Sequence, residues 1–101
     1  MSQKNSLVPV QETVDNFMKE TASAKAKAIA ANIRKLREYR DYTQDYLAAK
    51  LAISQNAYSK IELGYSRITL ERLFIISAVL EVNPADLIST EADKLINLIN
   101  F

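Results

Sequence analysis

Residues that interrupt helices are nearly missing from this chain. Its 101 residues include one glycine and two prolines, namely Gly64, Pro9 and Pro84. Glycine and proline are the strongest local signals for turns, so a chain with so few of them favours helices joined by short connections. A single glycine also cannot build a glycine-rich phosphate loop, which argues against the usual nucleotide-binding enzymes. The sequence therefore predicts an all-α fold.

The chain contains neither histidine nor cysteine. Their absence removes thiol chemistry, disulfides, histidine bases and nearly every zinc site. Acidic pairs such as Glu91 and Asp93 occur, but nothing in the sequence places them in a pocket. We therefore expect no enzyme, no cofactor and no metal site. No signal peptide or membrane-length apolar run is recognisable, so we expect a cytoplasmic protein with no membrane partner.

Charge is distributed unevenly although the net charge is only +1. Residues 25–72 contain ten basic and five acidic side chains, a net charge of +5, while residues 1–24 carry −1 and residues 73–101 carry −3. A basic block between mildly acidic ends suggests contact with phosphate groups. A solvated helix face is the alternative that charge alone leaves open.

Capping residues divide the central region into short helices. Thr43, Ser54 and Thr69 are good N-caps, and Gly64 lies where a helix-ending residue with positive φ is expected. Asn83 and Pro84 predict a further short helix, and Thr90 predicts the start of a last one.

The part of the chain before these helices contains two helical patterns. We expect a polar tail over residues 1–8 and a helix opened by Pro9, followed by an amphipathic helix that ends near Arg40. No glycine or proline separates the two patterns, so the sequence leaves open whether they fuse.

Two short helices separated by a three-residue turn form a helix-turn-helix arrangement, whose second helix can enter the major groove of DNA. The exposed side of that second helix carries Gln55, Asn56, Ser59 and Lys60. Glutamine and asparagine can pair with adenine, lysine with guanine, and serine with either. These four residues are the candidates for base contacts, with an ordinary polar surface as the alternative reading.

Several motifs at consistent spacing resemble the Cro/CI-type (Xre) helix-turn-helix family of phage and bacterial repressors. The sequences TQDYLAAKL at 43–51 and SQNAYSKIELG at 54–64 are similar to the second and third helices of that family. The resemblance implies a five-helix lambda-repressor-like domain over residues 25–89. A tail and helical extension would precede it over residues 1–24, and a C-terminal helix over residues 90–101 would be available for dimerisation.

The resemblance also implies roles for residues outside the recognition helix. Family positions that contact the DNA backbone correspond here to Gln44, Tyr65, Ser66 and Arg67. A structural ion pair of the family corresponds to Arg37 and Glu62. The partner implied is double-stranded DNA, bound with sequence specificity by a homodimer on a near-palindromic operator, and the implied function is transcriptional regulation, most simply repression.

Departures from the family pattern are informative as well. Ala52 and Glu81 stand where the family usually has glycine, so either these turns keep a left-handed conformation without glycine or they are re-formed. The fourth helix is apolar nearly all round, and something must cover it: the Val14/Phe17 helix, the last helix or a second subunit. We expect dimer contacts at Ile75, Leu95, Leu98 and Ile99. The same apolar surplus leaves one alternative function, an antitoxin that grips a toxin protein and regulates its own operon.

Overall fold

The computed structural model describes residues 2–89 and 91–99, and it describes side-chain surroundings for residues 12–89, 91–97 and 99. The described residues form six helices and no strand, which confirms the all-α prediction. In chain order the helices are α1 Ser2–Tyr39, α2 Gln44–Lys50, α3 Gln55–Glu62, α4 Leu70–Leu80, α5 Pro84–Ser89 and α6 Ala92–Ile99. The predicted capping role of Thr90 lies outside the described residues.

The two amino-terminal helical patterns fuse into one helix of 38 residues. It begins at Ser2, so the segment expected to be a polar tail is helical from its second residue, and α1 crosses the expected boundary between residues 24 and 25 without a break. Pro9 is therefore the eighth residue of α1 rather than its first. The fixed φ of proline is close to the helical value, so the helix continues through it at the cost of one backbone hydrogen bond.

The core lies where the carboxyl-terminal half of α1 meets the five shorter helices. Ile33 and Leu36 on α1 are fully buried, at the spacing that places them on one face of a helix. The other helices contribute fully or almost fully buried side chains, which include Leu47, Tyr58, Ile61, Ile76, Leu80 and Leu87. The domain is thus a single core built around one end of a long helix.

Helix starts are capped as the sequence predicts. The hydroxyl oxygens of Thr43, Ser54 and Thr69 accept hydrogen bonds from the backbone N–H groups three residues later. The start of α6 is held differently, because the side-chain oxygen of Asn32 on α1 accepts from the N–H of Ala92 at 3.0 Å. The same amide donates to the carbonyl of Leu87 near the end of α5, so α1 fixes the α5–α6 corner.

The first four helices end in the same way. Each is closed by a hydrogen bond from an N–H group to the carbonyl five residues earlier, and the residue before that N–H has positive φ, the pattern of a Schellman motif. The positive-φ residues are Asp41 at 59°, Ala52 at 56°, Gly64 at 77° and Glu81 at 58°. Ala52 and Glu81, which stand where the family usually has glycine, therefore keep the left-handed conformation of these turns. The left-handed residue at Asp41 is one that the sequence reading did not anticipate.

The residues expected at a dimer interface are used inside the chain. Leu95 is 3% exposed in the core, and Ile75 and Ile99 are partly buried against it. Leu95 is therefore not accessible to a second subunit, whereas Ile75 and Ile99 each keep part of their surface accessible. The side chain of Leu98 lies outside the described part of the chain. What α4 does expose is the opposite side, with Leu70 and Phe74.

Candidate nucleic-acid interface

The turn between α2 and α3 is the element that sets the angle of the recognition helix. Leu51 ends α2, Ala52 takes the left-handed conformation, and the N–H of Ile53 closes the turn on the carbonyl of Ala48 at 3.0 Å. Ser54 then caps α3. Apolar side chains on the inner sides of both helices join the core, so α3 presents its opposite side to solvent.

The four predicted base-contact residues share that outer side of α3. Gln55, Asn56 and Lys60 are exposed and Ser59 is half-buried. At 3.6 residues per turn the four span roughly 140° of the helix circumference, which is one continuous face. The one acid of α3, Glu62, is buried on the other side. The exposed face therefore offers amide, hydroxyl and ammonium groups with no carboxylate from the same helix.

The loop after α3 holds three of the four predicted contacts with the DNA backbone. Gly64 closes α3 with positive φ, and Tyr65 and Arg67 then project with exposed side chains, while Ser66 is half-buried. A β-carbon built on Gly64 would lie 3.1 Å from Cγ of Lys27 on α1. The aliphatic stem of Lys27 therefore lies against this loop, a placement that sequence spacing could not show.

A buried carboxylate ties the recognition helix to its two neighbours. Glu62 accepts hydrogen bonds at Oε2 from Nε of Arg37 at 2.6 Å and from the hydroxyl of Tyr58 at 2.5 Å. At Oε1 it accepts from a terminal nitrogen of Arg37 at 3.0 Å and from Nε2 of Gln44 at 3.1 Å. A second terminal nitrogen of Arg37 donates to the carbonyl of Tyr42 at 2.8 Å. The ion pair implied by the family resemblance is thus formed, within a larger network.

The electrostatics of this network follow from its geometry. Burial would raise the pKa of Glu62, but the hydrogen bonds from Arg37, Tyr58 and Gln44 outweigh it, so the pKa lies below the ordinary glutamate value. Conversely, the hydrogen bond to Glu62 raises the pKa of Arg37, and burial raises that of the Tyr58 hydroxyl. Glu62 is therefore ionised and fully occupied, and it serves to hold α3 rather than to meet a ligand.

Gln44 begins α2, as the family resemblance implies, and it also has a partner inside the domain. Its side chain is half-buried, and its amide nitrogen points inward to Glu62. An amide nitrogen carries two hydrogens and this bond uses one, so a phosphate contact would use the second. Gln44 therefore connects the network inside the domain to the surface beside α3.

Two aromatic rings and a lysine lie together on α2 and the segment before it. The rings of Tyr42 and Tyr46 have centroids 4.7 Å apart, and the ammonium of Lys50 lies 5.3 Å from the centroid of Tyr46. The ring steadies the lysine by a cation–π contact. Neither Tyr46 nor Lys50 is among the contacts predicted from the sequence. The four-residue spacing of Tyr42, Tyr46 and Lys50 is the signal that could have joined them.

The described residues contain no cluster of three or more potential metal-binding side chains. None of the helices within that part of the chain is long and apolar enough to cross a membrane.

Comparison with known proteins agrees with this geometry. A hypothetical transcription factor, NHTF, from Neisseria has a solved structure that superposes with a TM-score of 0.61, covering 75% of this chain and 87% of that chain at 22% sequence identity. At that identity the likeness establishes the fold. No curated protein matches the chain. The helix-turn-helix family HTH_3 matches residues 33–87, which span the core, both helices of the motif and the buried ion pair. Because this match covers more than half of the sequence, the chain belongs to the Cro/CI-type (Xre) helix-turn-helix family and is a DNA-binding transcriptional regulator.

Proposed function

We propose that the protein is a repressor that binds double-stranded DNA with sequence specificity, as a homodimer on a near-palindromic operator. The observation that carries this proposal is the exposed face of α3, where Gln55, Asn56, Ser59 and Lys60 lie side by side without a carboxylate of their own helix. In the major groove, amides in this arrangement read adenine and the lysine reads guanine.

Backbone contacts would fix the helix in the groove. Tyr65, Ser66 and Arg67 in the loop after α3 lie on one flank, together with Lys27. Gln44 marks the other flank at the start of α2. Such contacts position a protein on the duplex and supply much of its affinity, while the base edges supply specificity. Two copies related by a twofold axis would place their recognition helices about 34 Å apart, in successive major grooves.

Selection of bound duplexes from a random library, at two salt concentrations, tests this function. We expect an enriched site with twofold symmetry, and an affinity that falls with salt as the phosphate contacts are screened. A matched control is Asp45→Asn, an exposed change on α2 that leaves the α3 face intact and should return the same site. Failure to enrich any sequence would refute the proposal, and enrichment without symmetry would refute the dimer.

The antitoxin alternative has less apolar surface behind it than the sequence suggests. Leu95 is buried in the core, and Ile75 and Ile99 are partly buried against it. An exposed apolar surface does exist, but it lies elsewhere on the molecule, and its properties favour a different occupant.

A further inference from the structure

The middle of α1 carries large apolar side chains that nothing in the described part of the chain covers. Residues 12–20 are exposed throughout, and Phe17 and Met18 have 67% and 62% of their surface accessible. Val14 lies one turn before Met18 and is 45% exposed. We call residues 12–21 the arm. Scattered apolar residues on a surface are ordinary, but three adjacent large ones on one side of a helix are typical of a contact surface.

A second apolar surface lies on the body of the domain. A groove of about 580 Å³ runs between α1, the loop after α3 and the start of α4, and Ala22, Ala26 and Leu73 are among its lining residues. Its edge carries Leu70 and Ile88, which are 70% and 51% exposed. Phe74, one turn after Leu70 on α4, is 55% exposed. We call Leu70, Phe74 and Ile88 the groove rim.

The chain cannot bring its own arm to its own groove rim. α1 runs unbroken from Ser2 to Tyr39, and it contains no glycine and no proline after Pro9. Sharp bends in helices require such residues or an inserted group. The groove starts at Ala22, the first residue after the arm, so the arm continues along the helix axis away from it. Within the described part of the chain, no residue covers the arm or the groove rim.

We propose that the cover is a second copy of this chain, and that the arm of each copy docks on the groove rim of the other. This inference rests on the homodimer of the proposed function and assigns its interface to α1, α4 and α5. Such a contact is reciprocal, so it closes with twofold symmetry, as a homodimer on a near-palindromic site requires.

The area of the two surfaces is sufficient for a dimer. The arm and the groove rim together expose six large apolar side chains, each leaving on the order of 100 Å² accessible. Reciprocal docking covers both sets on both copies, so the apolar part alone amounts to about 1,200 Å², the lower end of stable interfaces.

Charge favours the same occupant. Residues 12–21 contain Glu12, Asp15 and Glu20 against Lys19, a net charge of −2. Arg67 is the one charged residue among those that line the groove, and Glu71 lies three residues before Phe74 on α4. An acidic arm is attracted to Arg67 and is repelled by DNA phosphates, so it is suited to a protein surface rather than to the duplex.

Sedimentation of the free protein tests the interface without DNA. Phe17→Asp in the arm and Phe74→Asp on the groove rim should each raise the dimer dissociation constant by about 100-fold or more, as expected for apolar side chains central to an interface. Asn16→Asp is the matched control, because it adds the same charge on the opposite side of the arm, and it should change the constant less than threefold. All three positions are exposed, so circular dichroism should report unchanged helix content.

Mixing the two variants distinguishes arm exchange from any other dimer. A Phe17→Asp chain keeps an intact groove rim and a Phe74→Asp chain keeps an intact arm, so an equal mixture should recover a heterodimer through one remaining contact. A mixture that stays monomeric, or single variants that remain dimeric, would overturn the proposal. So would a monomeric wild type, or a wild type that associates only with a different protein.

Selection of DNA with the Phe17→Asp chain separates this proposal from the proposed function. We expect half-sites with unchanged base preference and loss of the symmetric pair. If the wild type selects symmetric sites while Phe17→Asp still dimerises, the interface is wrong and the function stands. If the wild type dimerises through the arm but selects no sequence, the function is wrong and the interface stands.

Discussion

Replacing Glu62 with glutamine removes one charge and changes no volume, yet the structure predicts a large loss of stability. Each carboxylate oxygen accepts two hydrogen bonds, from Arg37 and Tyr58 at Oε2 and from Arg37 and Gln44 at Oε1. Whichever way a glutamine amide is oriented, its NH₂ group faces two donors. At least two of the four hydrogen bonds are therefore lost, and one of them comes from a guanidinium.

The magnitude follows from burial. The side chains of Arg37 and Glu62 are 11% and 1% exposed, so Glu62→Gln leaves a mostly buried cation without its partner. Removal of one member of a buried pair costs about 3–5 kcal/mol. Small domains have a free energy of unfolding of about 5–15 kcal/mol, so the variant should lose about a fifth or more of its stability.

The dependence on pH gives an independent check. Burial alone would raise the pKa of Glu62, but the hydrogen bonds that it accepts have the larger effect, so its pKa in the folded state lies below the ordinary value. Its stabilisation is therefore complete above the unfolded value of about 4.3 and is lost as the pH falls through the folded value. The gap between wild type and Glu62→Gln should be constant near neutral pH and shrink in acid.

Urea unfolding followed by circular dichroism, at neutral pH and in acid, measures both effects. Glu38→Gln is the control, because Glu38 pairs with Arg34 at 3.7 Å with both side chains more than half exposed. Such exposed pairs contribute about 0.3–0.5 kcal/mol at most on a helix. If Glu62→Gln costs less than about 1 kcal/mol, or no more than the control, the role assigned to this network is refuted.

Four further outcomes are expected. Gln55→Ala should weaken specific binding by about 1–3 kcal/mol and relax preference at one base position, and selection that returns an unchanged site would contradict its role. Arg67→Ala should weaken binding to all sequences alike and reduce the salt slope by about one per half-site in titrations at several salt concentrations, whereas a sequence-dependent loss would show a base contact. Ala52→Gly should raise the free energy of unfolding by about 1 kcal/mol, since relief of left-handed strain exceeds the added chain entropy, and urea unfolding showing a loss would argue against strain. Truncation after Ser89 should lower thermal stability before it affects association, because it removes buried Leu95 from the core; sedimentation showing monomers that unfold as the wild type does would contradict this.

The sequence predicts the local structure of the domain well, because local signals determine it. Thr43, Ser54 and Thr69 cap helices where their spacing indicates, and Gly64 ends the recognition helix. Each of these roles depends on a residue and its near neighbours, which is information that a sequence carries directly.

Predictions that depend on which surface covers which were less successful. The apolar pattern of α4 and α6 correctly indicates burial, but periodicity does not say whether the cover is the same chain or another one. The sequence therefore predicts dimer contacts at Ile75, Leu95 and Ile99, of which Leu95 is buried in the core and the other two are partly buried against it. The contact of Gln44 with Glu62 spans 18 residues, and no local pattern reports it.

One helix links the two halves of this molecule. α1 carries both Arg37, which binds Glu62 at the end of α3, and the arm. Its 38 residues span about 57 Å. In a dimer joined through the arms, the distance between the two recognition helices therefore depends on the number of residues in α1. One residue inserted between Glu20 and Ala28 would rotate the arm by about 100° against the DNA-reading face, while four would nearly restore the phase and add about 6 Å. The length of α1 thus sets the separation of the two recognition helices, and the spacing of operator half-sites should change with it.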